Sequence, residues 1–171
     1  MSIIVHVYDY LHPHQGGPPQ VILSLARAQI NQGAQVRLIA CDVDQAEVRS
    51  FIHAQLGEVE LFKLTPKGLR PWFSRELIDR ALEGATAVHI HSIWPTPNLF
   101  VAHRCLRRKI PYVLSIHGHL RRDALAIKAL KKRVGLTLGY RAMLRGASFI
   151  HALNESEVQD IRLFGLTAPC E

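Results

Sequence analysis

A chain of 171 residues with 48% hydrophobic residues and no long low-complexity tract has enough apolar matter for one core, which excludes a disordered chain. Cys41, Cys105 and Cys170 stand without metal-ligand or redox spacing, so inert thiols in a reducing, cytoplasmic compartment are expected. A net charge of +7, gathered mostly in residues 104–109 and 121–145, implies anionic company without choosing among nucleic acid, a phosphorylated small molecule and an acidic membrane surface.

In chain order, Ile3 to Tyr8 is a short apolar run rich in β-branched residues and predicts a buried strand. The N-terminus enters it directly, with no cationic leader, and no run reaches the roughly 20 apolar residues that cross a bilayer. After a loop rich in Pro, Gly and His, residues Gln20 to Gln32 carry Ile22, Leu25, Ala26 and Ile30 at helical spacing. Gly33 ends that helix, because glycine takes the left-handed C-terminal position without steric cost, and Gln35 to Ala40 follows as a strand. The alternation repeats: helix Ala46 to Gln55, strand Val59 to Leu64, helix Ser74 to Glu83, strand Ala87 to His91, helix Pro97 to Arg108, strand Tyr112 to Ile116. One long, basic, amphipathic helix is expected from Ala124 to Arg145, then a strand from Phe149 to Ala152. Asn154 reads as an N-cap with Glu157 as its capping-box partner, and that helix stops before Gly165. The pattern predicts one α/β domain over 1–171, a Rossmann-like doubly wound parallel sheet with flanking helices. Residues Leu166 to Glu171 read as the approach to a further strand, which leads to the expectation of a truncated protein.

Ligands of open parallel sheets bind beyond the carboxyl ends of the strands, so the loops there hold the candidates. In His12-Pro13-His14-Gln15-Gly16-Gly17-Pro18-Pro19 the paired glycines allow close approach of a ligand, and the following helix N-terminus suits a phosphate; a plain chain turn fits equally well. The G-x-G-x-x-G spacing of a dinucleotide site is absent, although Asp42 stands near the place of a ribose-binding acid. In His89-Ile90-His91-Ser92-Ile93-Trp94, alternation puts both histidines on one strand face, and Trp94 offers a ring to a sugar; core histidines and a packed tryptophan are the alternative. His117-Gly118-His119 follows a strand directly and places an imidazole where substrate can come close. The His-x-His pairs invite a metal, but no Asp, Glu or Cys accompanies them at ligand spacing. A nucleic-acid module would interleave aromatics with its cations, and 124–145 has only Tyr140, so no nucleic acid is expected.

Taken in order, Gly16-Gly17-Pro18, Gly33, His89-Ile90-His91 with Trp94, Ser115-Ile116-His117-Gly118 and Ala152-Leu153-Asn154-Glu155-Ser156-Glu157 resemble the N-terminal, acceptor-side domain of family 4 glycosyltransferases, which have the GT-B fold. The resemblance implies a retaining, metal-independent transfer of a sugar from a nucleotide-sugar donor to a glycan or lipid-linked acceptor, with no cofactor. It implies that Gly16 and Gly17 line the cleft near the donor phosphates, that His117 is catalytic at the transferred sugar, and that His91 and Trp94 form the acceptor side. Gly118, Asn154 and Glu155 are lesser candidates. Ser92 departs from the pattern, which often has glycine there. A second domain, with a glutamate pair separated by seven residues, would hold the nucleotide diphosphate, so the 171-residue chain alone is expected to be inactive. Its basic helix would touch an anionic surface, giving a cytoplasmic protein peripheral to the inner face of the plasma membrane. A non-catalytic sugar-nucleotide- or polyanion-binding domain would share the fold.

Overall fold

The computed structural model describes residues 1–64 and 75–171. Ser74, where a helix is expected to begin, lies outside the described residues. Among the described residues six strands, numbered β1 to β6 in chain order with the bounds given below, form one sheet in the order β3-β2-β1-β4-β5-β6. The expected α/β alternation is present throughout, and the chain divides into two compact units, Met1–His89 and Ile90–Glu171.

The first unit contains β1 (Ile3–Val7), α1 (Gly17–Asn31), β2 (Gln35–Ala40), α2 (Ala46–Leu56), β3 (Glu60–Lys63), α3 (Arg75–Ala81) and the start of β4 (Ala87–His91). β1 pairs with β2, and β2 with β3, in parallel, so each connection is a crossover through a helix. The apolar faces of α1 and α2 (Ile22, Leu23, Ala26, Val48, Ile52) close over Val36, Leu38 and Ala40 of β2, which forms the core of this unit. Helix α1 begins three residues earlier than the periodicity predicts. Pro18 and Pro19 fall in its first turn, where a missing N–H breaks no helical bond.

The second unit holds α4 (Thr96–Arg108), β5 (Tyr112–Ser115), α5 (Arg122–Ala126), α6 (Ala129–Gly135), α7 (Arg141–Arg145), β6 (Phe149–His151) and α8 (Glu155–Leu163). β5 and β6 pair in parallel, and residues 169–171 run beside β6, with Ile150 N donating to Pro169 O at 2.9 Å and Ala152 N to Glu171 O at 2.9 Å. Cys170 makes an isolated parallel bridge with Ile150, and residues 166–171 form no strand of their own. The single long helix expected over 124–145 is not present. Ile127 is extended, Lys128 is left-handed at φ 54°, and a wide π turn over 136–140 carries Gly139 at φ 124°. Gly135 and Gly139 each weaken a helix by about 1 kcal/mol relative to alanine, and together they explain why the second break falls there. The breaks leave Ile127, Leu130, Val134 and Leu138 exposed instead of in the core, while Met143 is buried.

Candidate functional site

In the first unit the loop after β1 is held by a buried carboxylate. Asp42 accepts Leu11 N and His12 N, both at 2.9 Å, so its two oxygens are committed to the loop backbone and it does not stand free as a ribose ligand. A 3-10 turn over Pro13–Gln15 then brings His12 and His14 to Glu47, with His12 Nε2 at 3.3 Å and His14 Nε2 at 3.6 Å from its carboxylate oxygens. His14 N donates to His12 Nδ1 at 3.3 Å, which leaves the ring proton on Nε2, facing Glu47. His12, His14 and Glu47 bring three possible metal-ligand atoms within 4.8 Å of one another, beside the loop that carries Gly16 and Gly17.

Gly16 has φ +83° and ψ −145°, a conformation that a side chain strains, whereas Gly17 is helical and a Cβ there would meet nothing within 4 Å beyond its chain neighbours. The backbone need for glycine therefore falls on Gly16, and the open space in front of the loop falls on Gly17. Because residues 18 and 19 carry no N–H, Gly16 and Gly17 are the donors this helix start offers to an anion. Asp9, two residues beyond β1, was not singled out by the sequence. Burial pushes its carboxyl up to about 6, against a backbone hydrogen bond that lowers it, and its Oδ1 is buried with no partner among the described residues.

In the second unit the candidates converge at the ends of β4 and β5. His91 is fully buried, and its ring stacks on His117 at 5.9 Å between centroids. His117 is left-handed at φ 52°, which costs a non-glycine residue about 1–2 kcal/mol, and Gly118 follows at φ 73°. The His117 Nε2 is buried and has no hydrogen-bond partner among the described residues. Desolvation lowers the His117 pKa most; Glu157 raises it, and His119 and His151 lower it further. A neutral imidazole with an uncommitted nitrogen is the result.

Ser92 is also left-handed, at φ 79°, and buried. That conformation is the physical reason glycine suits this position, and here the strain is carried by a serine whose Oγ lies 3.3 Å from His119 Nδ1. Asn98, in the first turn of α4, donates from Nδ2 to His91 O at 2.8 Å and Ser92 O at 3.0 Å, pinning the same turn. Trp94 is half-buried; Lys132 Nζ sits 5.1 Å from its ring centroid, and Tyr140 Oη donates to its carbonyl at 2.8 Å. Desolvation, then Lys132, lowers the His119 pKa.

Asn154 caps α8 as expected, accepting Glu157 N at 3.0 Å. The reciprocal half of the capping box is not made. Glu157, only 5% exposed, turns its carboxylate to Gly118 N through Oε1 and to Leu153 N through Oε2, the latter at 2.7 Å. Glu155 is exposed in the first turn of α8 and Gly118 enters the site through its backbone alone. Sequence reasoning missed Asp9, Asn98 and Glu157. Glu157 reads in the sequence only as a capping-box partner, and the available signal for Asn98 is an amide just inside the start of α4.

With this geometry in view, comparison with known proteins places the chain. The model of the glycosyl transferase 4-like domain matches residues 16–169. The chain belongs to this family. No curated protein matches it by sequence. Among solved structures, this glycosyl transferase 4-like domain is similar to Anabaena HepE, determined in complex with UDP and glucose (TM-score 0.66, 18% identity, 100% of this chain and 43% of that one). It is similar to sucrose-phosphate synthase of Thermosynechococcus elongatus (0.66, 13%, 100% and 47%) and to UDP-N-acetylglucosamine 2-epimerase of Rickettsia bellii (0.64, 14%, 98% and 43%). At these identities the likeness is one of fold, the α/β half of a GT-B protein, and the chain spans less than half the length of each. Among the described residues no helix is long and apolar enough to cross a membrane.

Proposed function

We propose that this domain is the acceptor-side half of a retaining, metal-independent glycosyltransferase that moves a sugar from a nucleotide-sugar donor to a glycan or lipid-linked acceptor. The observation that carries the reading is His117: a strained left-handed residue at the end of β5 whose buried Nε2 has no partner among the described residues, stacked on the buried His91. A structure keeps such strain and such an orphaned nitrogen where a ligand completes it. Leaving of a nucleotide diphosphate builds positive charge on the sugar, and a neutral imidazole can hydrogen-bond that sugar without repelling it. His91 acts through its stack on His117, and Trp94 supplies an apolar ring on the acceptor side. A second domain following this chain would hold the diphosphate, so the 171-residue chain by itself is expected to fold without turning over a nucleotide sugar. The test is transfer by the longer protein from an α-linked nucleotide sugar, with the product read by proton NMR. An α-linked product supports retention; a β-linked one rejects it.

Gly17→Val is the second expected result. Beyond its chain neighbours nothing lies within 4 Å of the added carbon, so any cost to the fold is confined to crowding against the Pro18 ring, while the branched side chain fills the space where a donor phosphate would approach the Gly16 and Gly17 N–H groups. Donor KM in the longer protein should rise with circular dichroism unchanged. An unaltered donor KM in a folded variant removes the loop from the donor site.

Residues Ala124 to Arg145 are proposed to touch an anionic membrane surface from the cytoplasmic side. Leu130 and Val134 share one face of α6 and stay exposed, at 77% and 48%, with Lys131 and Arg133 between them. Co-sedimentation should be strong with vesicles rich in phosphatidylglycerol and weak with phosphatidylcholine, and Leu130→Glu should abolish it. Equal binding to both, or to neither, rejects this surface.

A further inference from the structure

Glu157 is a buried carboxylate that the capping motif does not use. Its Oε1 accepts Gly118 N, and its Oε2 accepts Leu153 N at 2.7 Å. The first bond spans 39 residues of sequence and ends on the peptide immediately after His117. That peptide joins two consecutive left-handed residues, His117 at φ 52° and Gly118 at φ 73°. The turn's own closing bonds are long, His119 N to Ile116 O at 3.3 Å and Arg121 N to Gly118 O at 3.2 Å, so a strained non-glycine residue there gains from a fixed, charged acceptor for the Gly118 N–H. A hydrogen bond to an ionised carboxylate is roughly twice as strong as one between neutral groups, which suits Glu157 to hold the turn against its strain.

From this geometry we infer that Glu157 is the positioning residue of the His117 turn: its carboxylate clamps the Gly118 peptide, and so sets where the imidazole stands. It does not touch substrate. It acts through His117, and its meaning for catalysis rests on the reading of His117 given above. The clamp has an electrostatic side as well. The titratable groups facing His117 are the stacked His91, His119 after it, His151 on β6 and Glu157 on α8. Among the charge interactions resolved on His117, those of His119 and His151 lower its basicity, and Glu157 raises it. One side chain therefore fixes the ring's place and offsets part of its desolvation.

The test reads the turn first, in the 171-residue chain, and catalysis second. Glu157→Gln removes the charge at nearly constant shape. The Gly118 amide should then exchange about tenfold faster or more, relative to the amides of Leu114 and Ile150 in the sheet, since a tenfold change corresponds to about 1.4 kcal/mol. By NMR the titration midpoint of His117 should fall. Asn154→Ala is the control for a merely structural role: it removes the α8 cap and lowers Tm, but should leave the His117 midpoint in place. Glu157→Asp keeps the charge on a side chain too short to reach both Gly118 N and Leu153 N, so it should keep most of the midpoint while losing Gly118 protection, and it serves if the glutamine variant does not fold. Gly118 exchange that changes only in step with the sheet, in either variant, overturns the clamp. In the longer protein, Glu157→Gln should lower kcat about ten- to a hundredfold with little change in donor KM. A loosened turn with undiminished transfer would leave the clamp standing and reject His117 as the group at the sugar.

Discussion

In the longer protein, His117→Ala should lower kcat about a hundredfold or more, while His119→Ala should do much less. The difference follows from where the two rings stand. His119 is engaged with Ser92 Oγ at 3.3 Å and faces Lys132, whereas His117 keeps a buried Nε2 with no partner among the described residues. Removing one preorganised hydrogen-bonding group at a reacting centre typically costs about 10²–10³ in kcat. Because that contact strengthens as the sugar becomes positive, the loss should fall on kcat and kcat/KM together, with donor KM little changed. The pH profile gives a second check. Desolvation holds the imidazole below its ordinary value of about 6.5, so transfer should be flat above neutrality and fall only on the acid side of that value. A His117→Ala enzyme with near-normal kcat, or one that keeps the same acid limb, would put the reaction centre elsewhere.

Local chemistry made most of the fold legible. Strands β1, β2, β4 and β5 are short runs with β-branched or alternating apolar residues, and each lies within a residue of its expected bounds. Gly33 ends α1 with φ +84°, as its type and place require. The failures share a cause, which is distance along the chain. The run Leu125, Leu130, Val134, Leu138 has helical spacing, but nothing in a periodic pattern says that its apolar side will find no core to face. Two glycines four apart were the available signal of a break. Lys128, left-handed without being glycine, gave none. At the site, the strand-end histidines could be picked out because strand polarity puts them there, yet their division of labour could not. Burial separates them: His91 has no exposed surface, while His117 keeps some. Asp42 and Glu157 each serve a loop that their own neighbourhood does not contain, and in Glu157 a real cap by Asn154 hid the longer reach.

The second large effect is on stability, and it should be largest when one of two opposed groups is removed. His6 is buried on β1 with Nε2 2.7 Å from Gln29 Oε1, and desolvation brings it from 6.5 to about 4. Between those values the unfolded chain binds a proton that the native state does not, so stability falls as pH falls from about 6.5 to about 4. The difference is worth roughly 3 kcal/mol, undiminished by screening because the ring is wholly enclosed. Asp9 works the other way. Its carboxyl, raised from 3.8 to about 6, holds a proton in the native state that the unfolded chain has released, so stability falls as pH rises from about 3.8 to about 6. Being partly exposed, it contributes roughly 1–2 kcal/mol after allowance for solvent screening. In the wild-type chain the two slopes oppose each other over most of the same window. Asp9→Asn should therefore raise stability at pH 7 by roughly 1–2 kcal/mol and steepen the acid loss, while His6→Leu should leave the reverse slope, a chain that weakens as pH rises from 4 to 6. Urea melts at half-unit steps from pH 4 to pH 7.5 give both slopes. Parallel curves for the wild type and Asp9→Asn would mean that Asp9 is not carried at a cost to the fold. The expected divergence would mark it as an acid kept beyond the end of β1 for something other than stability.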